Sequence, residues 1–211
     1  MNRNINICYI DDRLDPLLSQ YLDGFCEDYN REEGSDYSLE FSEYKFRNVD
    51  NYKTLMSNNK VNKANIIIID SYLFENENSN LSKFTGEQFK IILKQILPFI
   101  KTIVISQNPI NTNSVSISKY KSSGFYDTGS EGEYKKYYEE NLAEVLKTNI
   151  ISTIEEKEVI NQISADSEVD SILVDTIQTT ISGIVDKALF EKEDLDELIK
   201  LFNEVKTNYG H

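Results

Sequence analysis

The chain predicts an α/β fold. A doubly wound, five-stranded parallel sheet occupies residues 1–148, and C-terminal α-helices fill residues 149–211. Three observations carry this expectation. Apolar runs of strand length alternate five times with amphipathic segments of helix length, the pattern of βα units on a parallel sheet. One run, "ANIIIID" (64–70), is so rich in β-branched residues that it asks for a sheet covered on both faces. Beyond residue 148 the strand-like runs stop, Gly becomes rare and Pro is absent.

Each element follows from its own pattern. Ile5 to Ile10 reads as a buried strand that ends in Asp11 and Asp12. Leu14 to about Tyr29 reads as a helix, with Leu17, Leu18, Tyr21, Leu22 and Phe25 on one stripe. "YSLEFSEYKF" (37–46) alternates apolar and polar residues and is a second strand, and a short helix follows at about Val49 to Ser57. The isoleucine run ends in Asp70. Gly86 to Leu97 is helical, with Phe89, Ile92, Leu93 and Ile96 on one face. "KTIVIS" (101–106) is a fourth strand ending in Ser106. A weak helix is expected over Ser114 to Lys121, a short fifth strand at "GFYD" (124–127), and a helix over 131–147.

The segment 149–211 carries 14 acidic and 5 basic residues. Ser167 and Asp170 have capping-box spacing. Val169, Ile172, Leu173, Ile177, Ile181, Ile184, Val185 and Leu189 recur at helical intervals, and Leu195, Leu198, Ile199, Phe202 and Val205 mark a last helix. These stripes must be buried. Packing on the α/β domain and use as a homodimer or partner interface both remain open.

Composition narrows the function classes. The formal net charge is -14, and lysines and arginines are scattered, the densest pair being Lys119 and Lys121, so nucleic-acid binding is disfavoured. No stretch reaches the roughly 18 apolar residues of a membrane span, and the N-terminus lacks signal-peptide character, so a cytoplasmic location is expected. Cys8 and Cys26 are too few for a disulfide framework. The only histidine is His211, at the last position, which excludes catalytic-histidine and histidine-phosphotransfer readings. Gly-rich phosphate loops, a Gly-x-Ser-x-Gly elbow and zinc spacings are all absent.

The acids at the strand ends carry the chemistry. Asp11 and Asp12 close the first strand and Asp70 the third, and these strands are expected to be neighbours. Three convergent carboxylates repel one another unless a cation neutralises them. Mg²⁺ suits the task, being hard and oxygen-seeking. Ser106 would place a hydroxyl at the same edge. A carboxylate beside a metal site and a hydroxyl donor is suited to accept a phosphoryl group.

In "CYIDDR", "IIIIDSYL", "TGEQF", "TIVISQN" and "SSGFYD", in that order, the chain resembles the receiver domains of two-component response regulators over about residues 5–148. The resemblance implies a flavodoxin-like, receiver-type fold and a signalling role. Asp70 would be the phosphoacceptor for a partner histidine kinase. Mg²⁺ would be held by Asp11, Asp12, Asp70 and the backbone carbonyl of Tyr72. Ser106 would contact the phosphoryl group, Phe125 would be the switch aromatic, and Gly86 the glycine after the third strand. Output would run through protein contacts, with no enzymatic activity beyond the chain's own phosphorylation and dephosphorylation. Receivers end the fifth strand with Lys-Pro; here Thr128 and Gly129 stand at those places, so the lysine is expected to be missing. Lys83, in the long segment 71–85, is then a candidate substitute cation. A pseudo-receiver that is never phosphorylated is the alternative.

Overall fold

In the computed structural model, the structure describes residues 3–32, 36–73, 85–107, 116–121 and 131–165. The expected strand at 124–127 with Phe125, the site positions Lys83 and Thr128, and the helical stripes and capping box beyond residue 165 lie outside them.

Five parallel strands form one sheet: β1 (Asn4–Asp11), β2 (Ser38–Lys45), β3 (Ile66–Asp70), β4 (Lys101–Ser106) and β5 (Ser116–Ser118). Their spatial order is β2-β1-β3-β4-β5, the doubly wound, flavodoxin-like arrangement. Helices intervene: α1 (Pro16–Arg31), α2 (Tyr52–Met56), α3 (Asn59–Asn62), α4 (Gly86–Ile96), α5 (Glu131–Asn141) and α6 (Ala143–Ala165). Where one helix is expected between β2 and β3, two short ones form.

Alternation within β1 and β3 divides the core. Ile5, Ile7, Tyr9, Ile66 and Ile68 join a cluster with α1, α5 and α6. Cys8, Ile10, Ile67 and Ile69 face the opposite way, into a cluster with α2 and α4. Both faces of the isoleucine run are therefore buried, as the run demands.

Local signals place the helices at the carboxyl edge of the sheet. The Asp15 carboxylate caps α1, accepting from Leu17 N at 2.9 Å, with Pro16 in the first turn. Thr85 caps α4 through a reciprocal box with Gln88.

Two expectations need correction. The segment read as a weak helix, 114–121, instead supplies β5, pairing Val104↔Ser116 through Ser106↔Ser118. Ser114 to Ser118 alternates serine with Val115 and Ile117, a period of two. That period fits an edge strand with one neighbour better than a helix. The helix expected to stop at residue 147 also runs on. After a turn at Leu142, α6 continues to Ala165, across the boundary drawn at 148. Leu146 and Ile150 bury into the sheet domain, and Glu156 pairs with Lys101 at the amino end of β4. Among the described residues, no helix is long and apolar enough to cross a membrane.

Ile68 is fully buried at the centre of β3. Truncation to alanine should cost about 3–4 kcal/mol, whereas Val49→Ala, on an exposed side chain, should change stability by under about 0.5 kcal/mol. Urea unfolding of both variants checks the difference.

Candidate metal and phosphoacceptor site

The strand order reverses between β1 and β3, the position at which α/β sheets form a crevice beyond the strand ends. β1 delivers Asp11 there and β3 delivers Asp70. Asp12 follows directly. One carboxylate oxygen from each of Asp11, Asp12 and Asp70 lies within 4.8 Å of the others. Asp11 and Asp70 are buried, Asp12 half-buried.

A fourth group joins the cluster, and sequence reasoning missed it. Lys119 follows β5 directly and is buried. Its Nζ donates to Asp11 Oδ2 at 2.6 Å and stands 3.0 Å from Asp70 Oδ1. The expectation of a missing lysine is therefore wrong: Lys119 supplies the cation that Thr128 was thought to replace. Shifting the fifth strand from 124–127 to Ser116–Ser118 moves the lysine position with it. The signal was present in "SVSISK", a short alternating run ending in lysine.

Asp11 is held from several sides. The Tyr9 hydroxyl and the Lys119 ammonium both donate to Oδ2, and Arg13 N donates to Oδ1 at 2.9 Å. Asp70 is held less. The Lys119 ammonium, 3.0 Å from its Oδ1, is shared with Asp11.

The electrostatics follow from this crowding. Burial pushes the Asp70 carboxyl up to about 6, with Asp11 and Asp12 adding to the rise and Lys119 opposing it. Burial alone would lower the Lys119 pKa, but the carboxylates of Asp70 and Asp11 outweigh it, and it is raised. Three carboxylates converge at this edge, and the Lys119 ammonium stands between two of them. Three carboxylate oxygens brought this close, two of them from buried residues, fit a hard divalent cation. The cluster can accept a metal.

Ser106, Tyr72 and Gly86 fall at the same edge. Ser106 closes β4, is buried, and accepts the Lys119 N–H at its carbonyl, 2.9 Å away. It lies one position beyond Ile105, which pairs with Asp70. Tyr72 lies two residues past Asp70 and bridges to Thr85. Gly86 opens α4 against the Asp70 backbone. A Cβ there would overlap the Asp70 carbonyl oxygen and come within 3.2 Å of Ile69 Cγ2.

No family model matches the chain, and no curated protein matches it. Among solved structures, the chain is similar to the two-component response regulator RcsB in its DNA complex. Identity is 15%, with 93% of this chain and 98% of that one covered, at a TM-score of 0.38. A likeness of that size carries no argument; the fold rests on the strand order and the two-sided core.

Two outcomes are expected from these contacts. The unfolded Asp70 carboxyl titrates near 3.8 and the folded one near 6. Between those values the folded state binds the extra proton, so metal-free stability falls as pH rises through the window. Asp70→Asn removes that loss. The variant should exceed the parent above pH 6 by up to about 3 kcal/mol and match it below about pH 4, as read by urea unfolding across pH. Gly86→Ala should cost about 1–3 kcal/mol and weaken divalent-cation binding by displacing the Asp70 backbone, as calorimetric titration of the folded variant would register.

Proposed function

We propose that the chain is a two-component-type signalling receiver whose Asp70 accepts a phosphoryl group from a partner histidine kinase in the presence of Mg²⁺. The observation that carries this reading is the buried Lys119 ammonium shared between Asp11 and Asp70 at the β1/β3 switch point. The three convergent carboxylates beside it offer the oxygen donors that a hard divalent cation prefers.

In this reading an Asp70 carboxylate oxygen attacks the phosphorus of a phosphohistidine in line. The O–P bond forms as the N–P bond breaks, and the imidazole leaves with the bonding pair and takes a proton from solvent. Lys119, already 3.0 Å from Asp70 Oδ1, pivots its ammonium onto a phosphoryl oxygen. Ser106 donates its hydroxyl to another. Asp11, Asp12, Asp70 and the Tyr72 carbonyl would hold Mg²⁺, which when bound neutralises the carboxylates and the incoming phosphoryl charge. Tyr9 holds Asp11 independently of Lys119, so the lysine can move without releasing that carboxylate. A charged hydrogen bond from Lys119 is worth about 1–3 kcal/mol, or roughly 10- to 100-fold in rate. Beyond assisting its own phosphorylation and dephosphorylation, the chain is not an enzyme.

Output runs through protein contacts. The net charge of -14 opposes a nucleic-acid partner. The acidic segment beyond α6, with its regular apolar stripes, serves as the interaction or homodimer surface. These features together suit a cytoplasmic signalling protein.

The test is incubation of the full chain with acetyl phosphate and Mg²⁺, read by intact mass. A single phosphoryl adduct, lost in Asp70→Asn and formed roughly 10- to 100-fold more slowly in Lys119→Met, is expected. An adduct that persists in Asp70→Asn refutes the assignment. No adduct at any donor concentration, with no Mg²⁺ binding, favours the pseudo-receiver instead.

A further inference from the structure

Lys119 follows a three-residue edge strand, a weak mounting for a cation on which the cluster depends. Edge strands pair on one side only, and short ones fray. Yet the backbone on both sides of Lys119 is tied to α5. The Tyr137 hydroxyl donates to the Ser118 carbonyl at 3.0 Å, and the Tyr138 hydroxyl accepts the Tyr120 N–H, also at 3.0 Å. The two hydroxyls come from adjacent residues of one helix and bracket the lysine in sequence.

The rings reinforce the attachment. Tyr137 packs on Tyr120 with centroids 5.6 Å apart and meets Tyr138 edge-on at 5.4 Å. Tyr138 is buried in the core against Tyr21. A buried phenol is an amphipathic anchor whose ring is fixed by packing and whose hydroxyl is therefore placed. The Tyr120 N–H would be lost with proline at that position, since proline has no backbone donor.

We infer that Tyr137 and Tyr138 are positioning residues for Lys119: they hold its backbone so that the ammonium reaches Asp11 and Asp70, and they couple its position to α5. The part of this inference that concerns phosphorylation rests on the function proposed above; the part that concerns the placement of Lys119 does not.

The test uses the full chain with Tyr137→Phe, Tyr138→Phe and both together, each losing a hydroxyl while keeping its ring. Should the double variant fail to fold by circular dichroism, the single ones remain. Tyr21→Phe is the control. It belongs to the same aromatic cluster, but its hydroxyl donates to Glu139 and not to the lysine segment. The first readout is the Lys119 ammonium signal in nitrogen-detected NMR, assigned through its own side-chain carbons. In the parent protein the buried ammonium should exchange slowly with water. In Tyr137→Phe and Tyr138→Phe exchange should quicken by about fivefold or more, with no change in Tyr21→Phe. Unchanged exchange in the folded Tyr137→Phe and Tyr138→Phe variants overturns the inference, as does an equal change in the control. The second readout is the acetyl phosphate reaction. Its rate should fall about three- to tenfold in the double variant while Mg²⁺ affinity stays within about twofold. If ammonium exchange responds as expected but no form of the protein is modified at Asp70, the positioning role stands and the receiver reading fails.

Discussion

One buried ammonium makes the carboxyl edge of this sheet viable. Asp11, Asp12 and Asp70 are brought within 4.8 Å by strand order alone, and burial multiplies the cost of their repulsion. Lys119 lies between two of them and offsets much of that cost. Removing one partner from such a cluster leaves a desolvated charge, which is why buried pairs are costly to break even when they add little net stability. The rest of the edge is arranged around this compromise. Tyr9 and Arg13 N add donors to Asp11, Gly86 gives Asp70 room, and the pairing of β5 on β4 delivers the lysine.

The compromise falls unevenly on the carboxylates. Asp11 is surrounded by donors, whereas Asp70 shares the Lys119 ammonium with it and has its carboxyl raised to about 6. The two carboxylates, a few ångströms apart, are thereby given different surroundings. Pairs of acids driven apart by their surroundings commonly divide labour.

Much of this was legible in the residues. An isoleucine run ending in acid marks β3 and a largely apolar run ending in acids marks β1, and the acids at their ends are the ones that converge. What was not legible has a common physical cause. β5 is a three-residue edge strand whose residues are only half-buried, so it lacks the apolar run that marks the central strands. "GFYD" is more apolar and drew the assignment instead. Lys119 was hidden as well, because one lysine near another in a serine-rich stretch looks like surface charge until a strand end places it in the core. The boundary at residue 148 followed from a drop in strand signal, but α6 binds through scattered contacts, Leu146, Ile150 and the Lys101–Glu156 pair, which mark no boundary in the sequence.

The junction of α5 and α6 has a mechanical consequence. Hydrogen bonds from Leu142 N to Tyr138 O and from Leu146 N to Leu142 O carry the helical ladder across the turn at 2.8 and 3.0 Å. The tyrosines stand near one end of this pair of helices, beside the lysine. Glu156 meets Lys101 at the opposite edge of the sheet, and α6 runs on past that contact to Ala165. From Tyr138 to Ala165 the helical path is about 40 Å. Over that length, a tilt of about 5° at the tyrosine end becomes a displacement of roughly 3 Å at the other. The α5–α6 pair thus joins the backbone beside Lys119 to Ala165 by one helical path, along which any change of tilt at the tyrosines would grow with distance.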